Sequence, residues 1–181
     1  MHTRNFLPFF ASLASASVAR RSIESGAHLY VYGVGINGFS VYADSTLTAV
    51  IADNATAVAN GLQNTTWSID TTGGAPWNVT ITNSSETGQF YIVHDSADHQ
   101  AAGFNKTAPT GAATTGFVLY GSTVEYSTGT TYESQFYARN STNNIWNLMW
   151  NTDATTVDDG VPVVLKTIAP RPHQSATTTS A

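Results

Sequence analysis

The sequence contains no cysteine. That excludes disulfide staples, thiolate metal sites, thiol nucleophiles and dithiol redox chemistry. Charge is also scarce: charged residues are 10% of the chain, against about a quarter in an ordinary soluble domain. The basic residues are the scarcer sign, with 7 Lys and Arg against 12 Asp and Glu. No basic patch is legible, so neither nucleic-acid binding nor attraction to anionic membranes is expected. No nucleophile elbow, phosphate loop or dinucleotide fingerprint is expected to operate in this chain, which removes the most readable routes to acyl transfer, phosphoryl transfer and dinucleotide binding. No apolar run approaches the ~20 residues that span a bilayer.

What is present begins with an export pattern. Met1 to Asn5 carries one arginine and no acid, Phe6 to Leu13 is a short apolar run, and Ala14 to Ala19 consists of small residues and Val18. These are the three parts of a secretory signal ending at Ala19. Arg20-Arg21 follows and resembles a kexin-type processing site, with the mature chain expected to start near Ser22. The expected organisation is a signal over 1–19, a dibasic site at 20–21, a β-rich domain over 22–168, and a disordered Pro/Ser/Thr tail over 169–181. About 160 residues remain after processing, enough for one domain with a real core. Four basic residues then stand against twelve acids, a formal charge of −8.

In a secreted chain the Asn-x-Ser/Thr sites Asn54, Asn64, Asn78, Asn83, Asn105 and Asn140 are candidate N-glycosylation sites. The location expected is extracellular or cell-wall, with no membrane association after signal cleavage.

The rest of the chain is punctuated as β-structure. Runs rich in Val, Tyr, Phe, Trp and Thr alternate with Gly, Asn, Asp and Ser. They predict strands at Leu29–Tyr32, Phe39–Ala43, Leu47–Ile51, Thr65–Ile69, Trp77–Thr82, Phe90–His94 and Phe117–Tyr120. Further strands are predicted at Val124–Tyr126, Ser134–Ala138, Ile145–Trp150 and Pro162–Thr167. The Ala-rich stretch from Leu47 to Leu62 has room for a helical turn. Alternation turns Thr65, Trp67 and Ile69, then Trp77, Val79 and Ile81, then Trp146, Leu148 and Trp150 toward a core. Asn78, Thr80 and Thr82 then face solvent, which a glycan on Asn78 requires.

With no βαβ rhythm, the fold class is all-β: an antiparallel β-sandwich or flattened barrel, with a β-trefoil as the alternative. Gly38-Phe39-Ser40-Val41-Tyr42 is similar to Gly116-Phe117-Val118-Leu119-Tyr120. Two copies favour a duplicated sandwich; no third copy is legible.

The signal, Arg20-Arg21, the missing cysteine, Leu29-Tyr30-Val31-Tyr32-Gly33, Gly116 to Gly121, Trp146 to Asn151 and Val161 to Lys166 together look like small secreted proteins of filamentous fungi. Most of those have no assigned function. The resemblance implies origin and secretion, and carries over no catalytic residue.

Four constellations are candidates for chemistry. His94-Asp95-Ser96-Ala97-Asp98-His99 sets two imidazoles and two carboxylates within six residues, ligand types that suit Zn²⁺; a solvated hairpin turn is the simpler account. Glu125 and Glu133 face each other if Ser127 to Thr131 is a hairpin loop and Tyr126 pairs with Tyr132. Carboxylates that close, about 4.5–5.5 Å between Cβ atoms, split their pKa values as in retaining glycosidases. Asp153 with Asp158-Asp159-Gly160 is an acidic loop of the kind that holds Ca²⁺, without EF-hand spacing; Asp-Gly before a strand also reads as a turn. Finally, Tyr30, Tyr32, Tyr42, Tyr91 and Tyr120 fall on faces opposite the predicted core. An exposed tyrosine strip suits a carbohydrate or protein contact. No cofactor is expected. The expected function is non-enzymatic and extracellular, with a carbohydrate-binding module or lectin as the alternative and a secreted glycoside hydrolase as the third. The expected partners are cell-wall polysaccharide or an extracellular protein.

Overall fold

The structure is a computed structural model, described for residues 23–82, 86–94, 99–153, 155 and 157–171. The signal, the dibasic pair, Asn83, Asp95, Asp98 and most of the C-terminal tail lie outside those residues.

The chain is all-β and antiparallel, as its punctuation predicts. An outer strand, β1 (Ile23–Ala27), is followed by three units of the same build. Unit I is β2 (Tyr30–Gly33), β3 (Ile36–Ala43), β4 (Ala49–Ala52), the helix α1 (Asn54–Ala59) and β5 (Gln63–Asp70). Unit II is β6 (Asn78–Ile81), β7 (Glu86–Val93), β8 (Gly103–Asn105) and a broken fourth strand, β9 (Ala112–Ala113) with β10 (Phe117–Tyr120). Unit III is β11 (Thr123–Ser127), a bent second strand made of β12 (Tyr132–Glu133) and β13 (Phe136–Thr142), β14 (Ile145–Trp150) and β15 (Gly160–Lys166).

The pairings repeat three times. Within each unit the first strand pairs with the second: β2–β3, β6–β7, β11–β12. The second pairs with the third: β3–β4, β7–β8, β13–β14. The end of the second meets the start of the fourth: β3–β5, β7–β9, β13–β15. Each fourth strand pairs with the first of the next unit, β5–β6, β10–β11 and, closing the chain on itself, β15–β2. The third-strand regions also touch, through Trp146↔Ile51, Thr48↔Gly103 and Ala101↔Met149. The strands β2, β3, β4, β14, β13 and β15 form a closed six-strand ring. The barrel expectation holds, and the threefold pairing is a trefoil arrangement, the alternative that sequence similarity left unsupported.

Turn residues explain the hairpins. Asn143 and Asn144 both have positive φ (54° and 61°) between β13 and β14, as the two-residue turn that matches strand twist demands. Asp53 caps α1, its carboxylate accepting from Thr56 N at 2.9 Å and Thr56 Oγ1 at 2.8 Å.

Aligned by register, the units place equivalent side chains in one core. The sets are Leu29, Trp77 and Val124; Val41, Phe90 and Phe136; Ile51, Phe104 and Trp150; Trp67, Phe117 and Leu165. Every one is at most 3% exposed, and all belong to one buried cluster. The inward faces read from alternation are therefore correct, although Trp146 is only half-buried against this core. The aromatic rings form a continuous network, including Trp67–Phe90 at 5.1 Å, Phe90–Phe117 at 4.9 Å and Phe136–Trp150 at 4.8 Å between centroids. Burying each large side chain is worth about 1.5–3 kcal/mol, which is how the domain folds without a disulfide. The indole of Trp67 donates to Thr65 Oγ1 at 3.1 Å, and that of Trp77 to the Asp70 carbonyl at 2.9 Å.

The duplication read from Gly38–Tyr42 and Gly116–Tyr120 is not structural. The first lies in the second strand of unit I and the second belongs to the fourth strand of unit II. At the C-terminal end, Ile168, the last residue of the predicted domain, accepts a hydrogen bond from Tyr32 Oη at 2.9 Å, and Pro170 lies where a Cβ on Gly38 would fall, at 2.6 Å. The first residues past the predicted end of the domain are thus packed on unit I.

Candidate functional site

The seam between units II and III carries an open sheet face. In β10 and β11 the register is Val118↔Glu125 and Tyr120↔Thr123, and β12 adds Ser127↔Tyr132. Because paired residues share a face, Val118, Tyr120, Thr123, Glu125, Ser127 and Tyr132 all point outward. Phe117, Val124 and Tyr126 point to the core. Tyr120 and Tyr132 are 77% and 69% exposed, the most exposed aromatic rings among the described residues. With Glu125, Thr71 and Thr72 they line a hollow of about 570 Å³.

The threonine side of this hollow is built by a buried carboxylate. Asp70 is 6% exposed. It accepts from Thr72 N at 3.1 Å, from Thr72 Oγ1 at 2.7 Å, and from Ala75 N at 2.7 Å. Burial opposes its ionisation, but the hydrogen bonds from Thr72, Ala75 and Gly74 outweigh burial and hold the carboxyl below its ordinary value. The turn seats on β10 through Gly73. Its φ is +76°, and a Cβ there would meet Val118 Cγ1 at 2.8 Å. Gly116 N donates to the Gly73 carbonyl at 3.0 Å, locking the contact. Chemically the face offers two phenol rings for stacking, one carboxylate and two threonines for hydroxyl recognition.

No protein-family model, curated protein or solved structure matches this chain.

The other predicted residues that are described do not gather into one site; Asp95 and Asp98 lie outside the described residues. The β11–β12 register is one residue away from the one expected: Tyr126 pairs with Glu133 and Ser127 with Tyr132. Glu125 and Glu133 therefore stand on opposite faces, and the opposed carboxylate pair does not form. Glu133 instead accepts from Thr131 Oγ1 at 3.4 Å. A four-residue loop, closed by Thr128 N to the Thr131 carbonyl, replaces the five-residue loop assumed.

His94 packs against the Tyr126 ring at 4.9 Å, and His99 lies edge-on to Tyr137 at 6.0 Å. Among the described residues no group of three or more His, Cys, Asp or Glu is arranged to hold a metal ion. Asp158-Asp159-Gly160 is a turn: Gly160 N donates to the Val157 carbonyl at 3.1 Å. Asp159 pairs with Arg139 at 3.2 Å on the surface, and Asp153 is exposed.

The tyrosines do not form one strip. Tyr30 and Tyr32 are half-buried on β2, with Lys166 Nζ lying 5.6 Å from the Tyr32 ring centroid. Tyr42 and Tyr91 occupy equivalent places on the second strands of units I and II, and Tyr137 is the third member. Burial raises the pKa of all three phenols. Tyr42 is buried, so only Tyr120 of the predicted set belongs to the open face. Its partner Tyr132 pairs with Ser127, not with the core-facing Tyr126, and so shares the outward face.

Asn54, Asn64, Asn78, Asn105 and Asn140 are all exposed. Gly33-Val34-Gly35-Ile36-Asn37-Gly38 matches the glycine spacing of a dinucleotide loop but forms the β2–β3 hairpin. It precedes no helix, which the phosphate contact needs.

Proposed function

We propose that this chain is a secreted, N-glycosylated, non-enzymatic protein of the extracellular space or cell wall that binds polysaccharide. The observation that carries the reading is the face formed by Tyr120, Glu125 and Tyr132. Two exposed tyrosines with a carboxylate between them form a contact surface that is aromatic and hydrogen-bonding at once. A sugar ring offers the matching chemistry: an apolar C–H face to stack on a phenol and hydroxyls to donate to Glu125. The separation of Glu125 from Glu133 favours binding over glycosidic-bond cleavage, since the hydrolytic pair needs both carboxyl groups at one bond. The five exposed Asn-x-Ser/Thr sites are compatible with glycan attachment.

The test is retention of the purified, secreted protein on immobilised cell-wall glucan, chitin and mannan, comparing wild type with Tyr120→Ala and Tyr132→Ala. Each aromatic contact is worth roughly 1–2 kcal/mol, so about a tenfold loss of affinity is expected from either substitution on the polymer that binds. No retention on any polymer, or retention indifferent to both substitutions, sinks the reading. Intact-mass analysis before and after enzymatic deglycosylation tests the glycan sites separately.

A further inference from the structure

The outer face of unit III holds a second hollow, which shares no lining residue with the hollow of the Tyr120 face. It holds about 420 Å³ between β13, the start of β15 and the residues Asn151, Thr155 and Val157. Phe136, Val157, Pro162 and the ring of Tyr137 give it a mostly apolar lining, and no charged side chain lines it.

Two polar atoms of its lining residues are unusual. Gln135 Oε1 and Tyr137 Oη are both buried without a hydrogen-bond partner. Tyr137 as a whole is only 3% exposed. Leaving such groups unpaired costs about 1–3 kcal/mol each, and native proteins leave few of them without a reason. The matching place in unit I shows what a purely structural solution looks like. There Tyr42 is packed in a cluster with Val50, Ala57 and Leu62, α1 supplying the cover. Among the described residues unit III has no helix between β14 and β15, and the ring of its tyrosine borders the hollow.

We infer that this hollow is a binding site for a small, neutral, largely apolar ring compound bearing a hydroxyl group. The size and apolar walls suit such a molecule, and the uncharged lining gives an ionic ligand nothing to offset its desolvation. The hydroxyl supplies the donor that Gln135 lacks. Neither oxygen opens on the hollow as it stands, so the site requires the half-buried Gln135 amide to turn about its soft terminal torsion when the ligand binds. Burial also keeps the Tyr137 phenol protonated at neutral pH, able to donate or to accept.

The test is a ¹⁵N–¹H titration of the full secreted chain with 2-naphthol, 2-methylnaphthalene, naphthalene-2-sulfonate and methyl α-glucoside. Saturable shifts at Ser134, Gln135, Tyr137 and Gly160 are expected with 2-naphthol. Binding of 2-methylnaphthalene should be roughly five- to tenfold weaker, the value of one hydrogen bond, and the sulfonate weaker still. Val157→Trp should abolish the 2-naphthol shifts by filling the hollow. Gln135→Leu should remove the preference for 2-naphthol over 2-methylnaphthalene while leaving thermal stability equal or higher. The inference is overturned if no saturable shift appears at these amides, if the sulfonate or the glucoside binds there better than 2-naphthol, or if Gln135→Leu keeps the hydroxyl preference. Polysaccharide retention at the Tyr120 face is read separately, so either reading can fail alone.

Discussion

Tyr42 and Tyr137 occupy matching positions in units I and III and are both buried, yet different neighbours lie beside them. Tyr42 lies in a small cluster sealed by α1, whereas Tyr137 lines a hollow. Their connections are also held differently. In unit I the Asp53 carboxylate caps the helix with two hydrogen bonds from Thr56, whereas in unit III an exposed Arg139–Asp159 ion pair lies beside the loop end. The barrel requires only the strands, so the segment between third and fourth strands is free to become either structural filler or a site. The first uses packed apolar atoms; the second leaves polar groups unpaired.

The contrast can be broken by substitution, and the expected effects are graded. Ala57→Asp introduces a charge where a 1% exposed residue seals Tyr42. We expect a loss of about 3–4 kcal/mol in denaturant unfolding; a loss under about 1 kcal/mol would mean that α1 is not the seal. Asp70→Ala, at the turn that closes unit I, removes the acceptor of several part-buried hydrogen bonds and should cost about 2–3 kcal/mol. Asp70 also predicts a pH dependence. Its folded pKa is depressed, so the stability it contributes is present above the unfolded value and is lost as pH falls through the lower folded one. Thermal stability should therefore fall as pH drops below the ordinary aspartate value of about 3.8, and Asp70→Asn should flatten that acid limb. An unchanged acid limb in the variant would assign the effect elsewhere. Asp53→Ala removes the helix cap and should cost about 1 kcal/mol, read as a fall in thermal midpoint of about 2–4 °C. Arg139→Ala, which breaks the exposed pair at the unit III loop, should change stability by at most about 0.5 kcal/mol. Equal effects from these last two would erase the difference between the loops.

The strands and their inward faces were legible because apolar alternation is written residue by residue. Trp77, Val79 and Ile81 pack as read, and so do Trp67, Leu148 and Trp150. The threefold arrangement was not legible, because equivalent core positions preserve burial and not identity. Trp67, Phe117 and Leu165 do the same work without resembling one another. Local likeness pointed instead to Gly38–Tyr42 and Gly116–Tyr120, whose strands play different parts. Half of the candidate face was equally hidden: Tyr120 stood out as a tyrosine on a strand, but Tyr132 required the hairpin register. A one-residue shift in that register exchanges the faces, separates Glu125 from Glu133, and brings Tyr132 out beside Glu125.

By itself, then, the sequence determined that the chain is β-rich, folds without disulfides, and turns its large tryptophans inward. Composition and alternation act locally, and each residue carries its own part of that information. Tertiary structure alone decided which strands are equivalent, which tyrosines meet water, and which loop closes over its unit. Those depend on pairing register and on contacts between residues a hundred or more positions apart, such as β2 with β15, where no single stretch of sequence contains both partners.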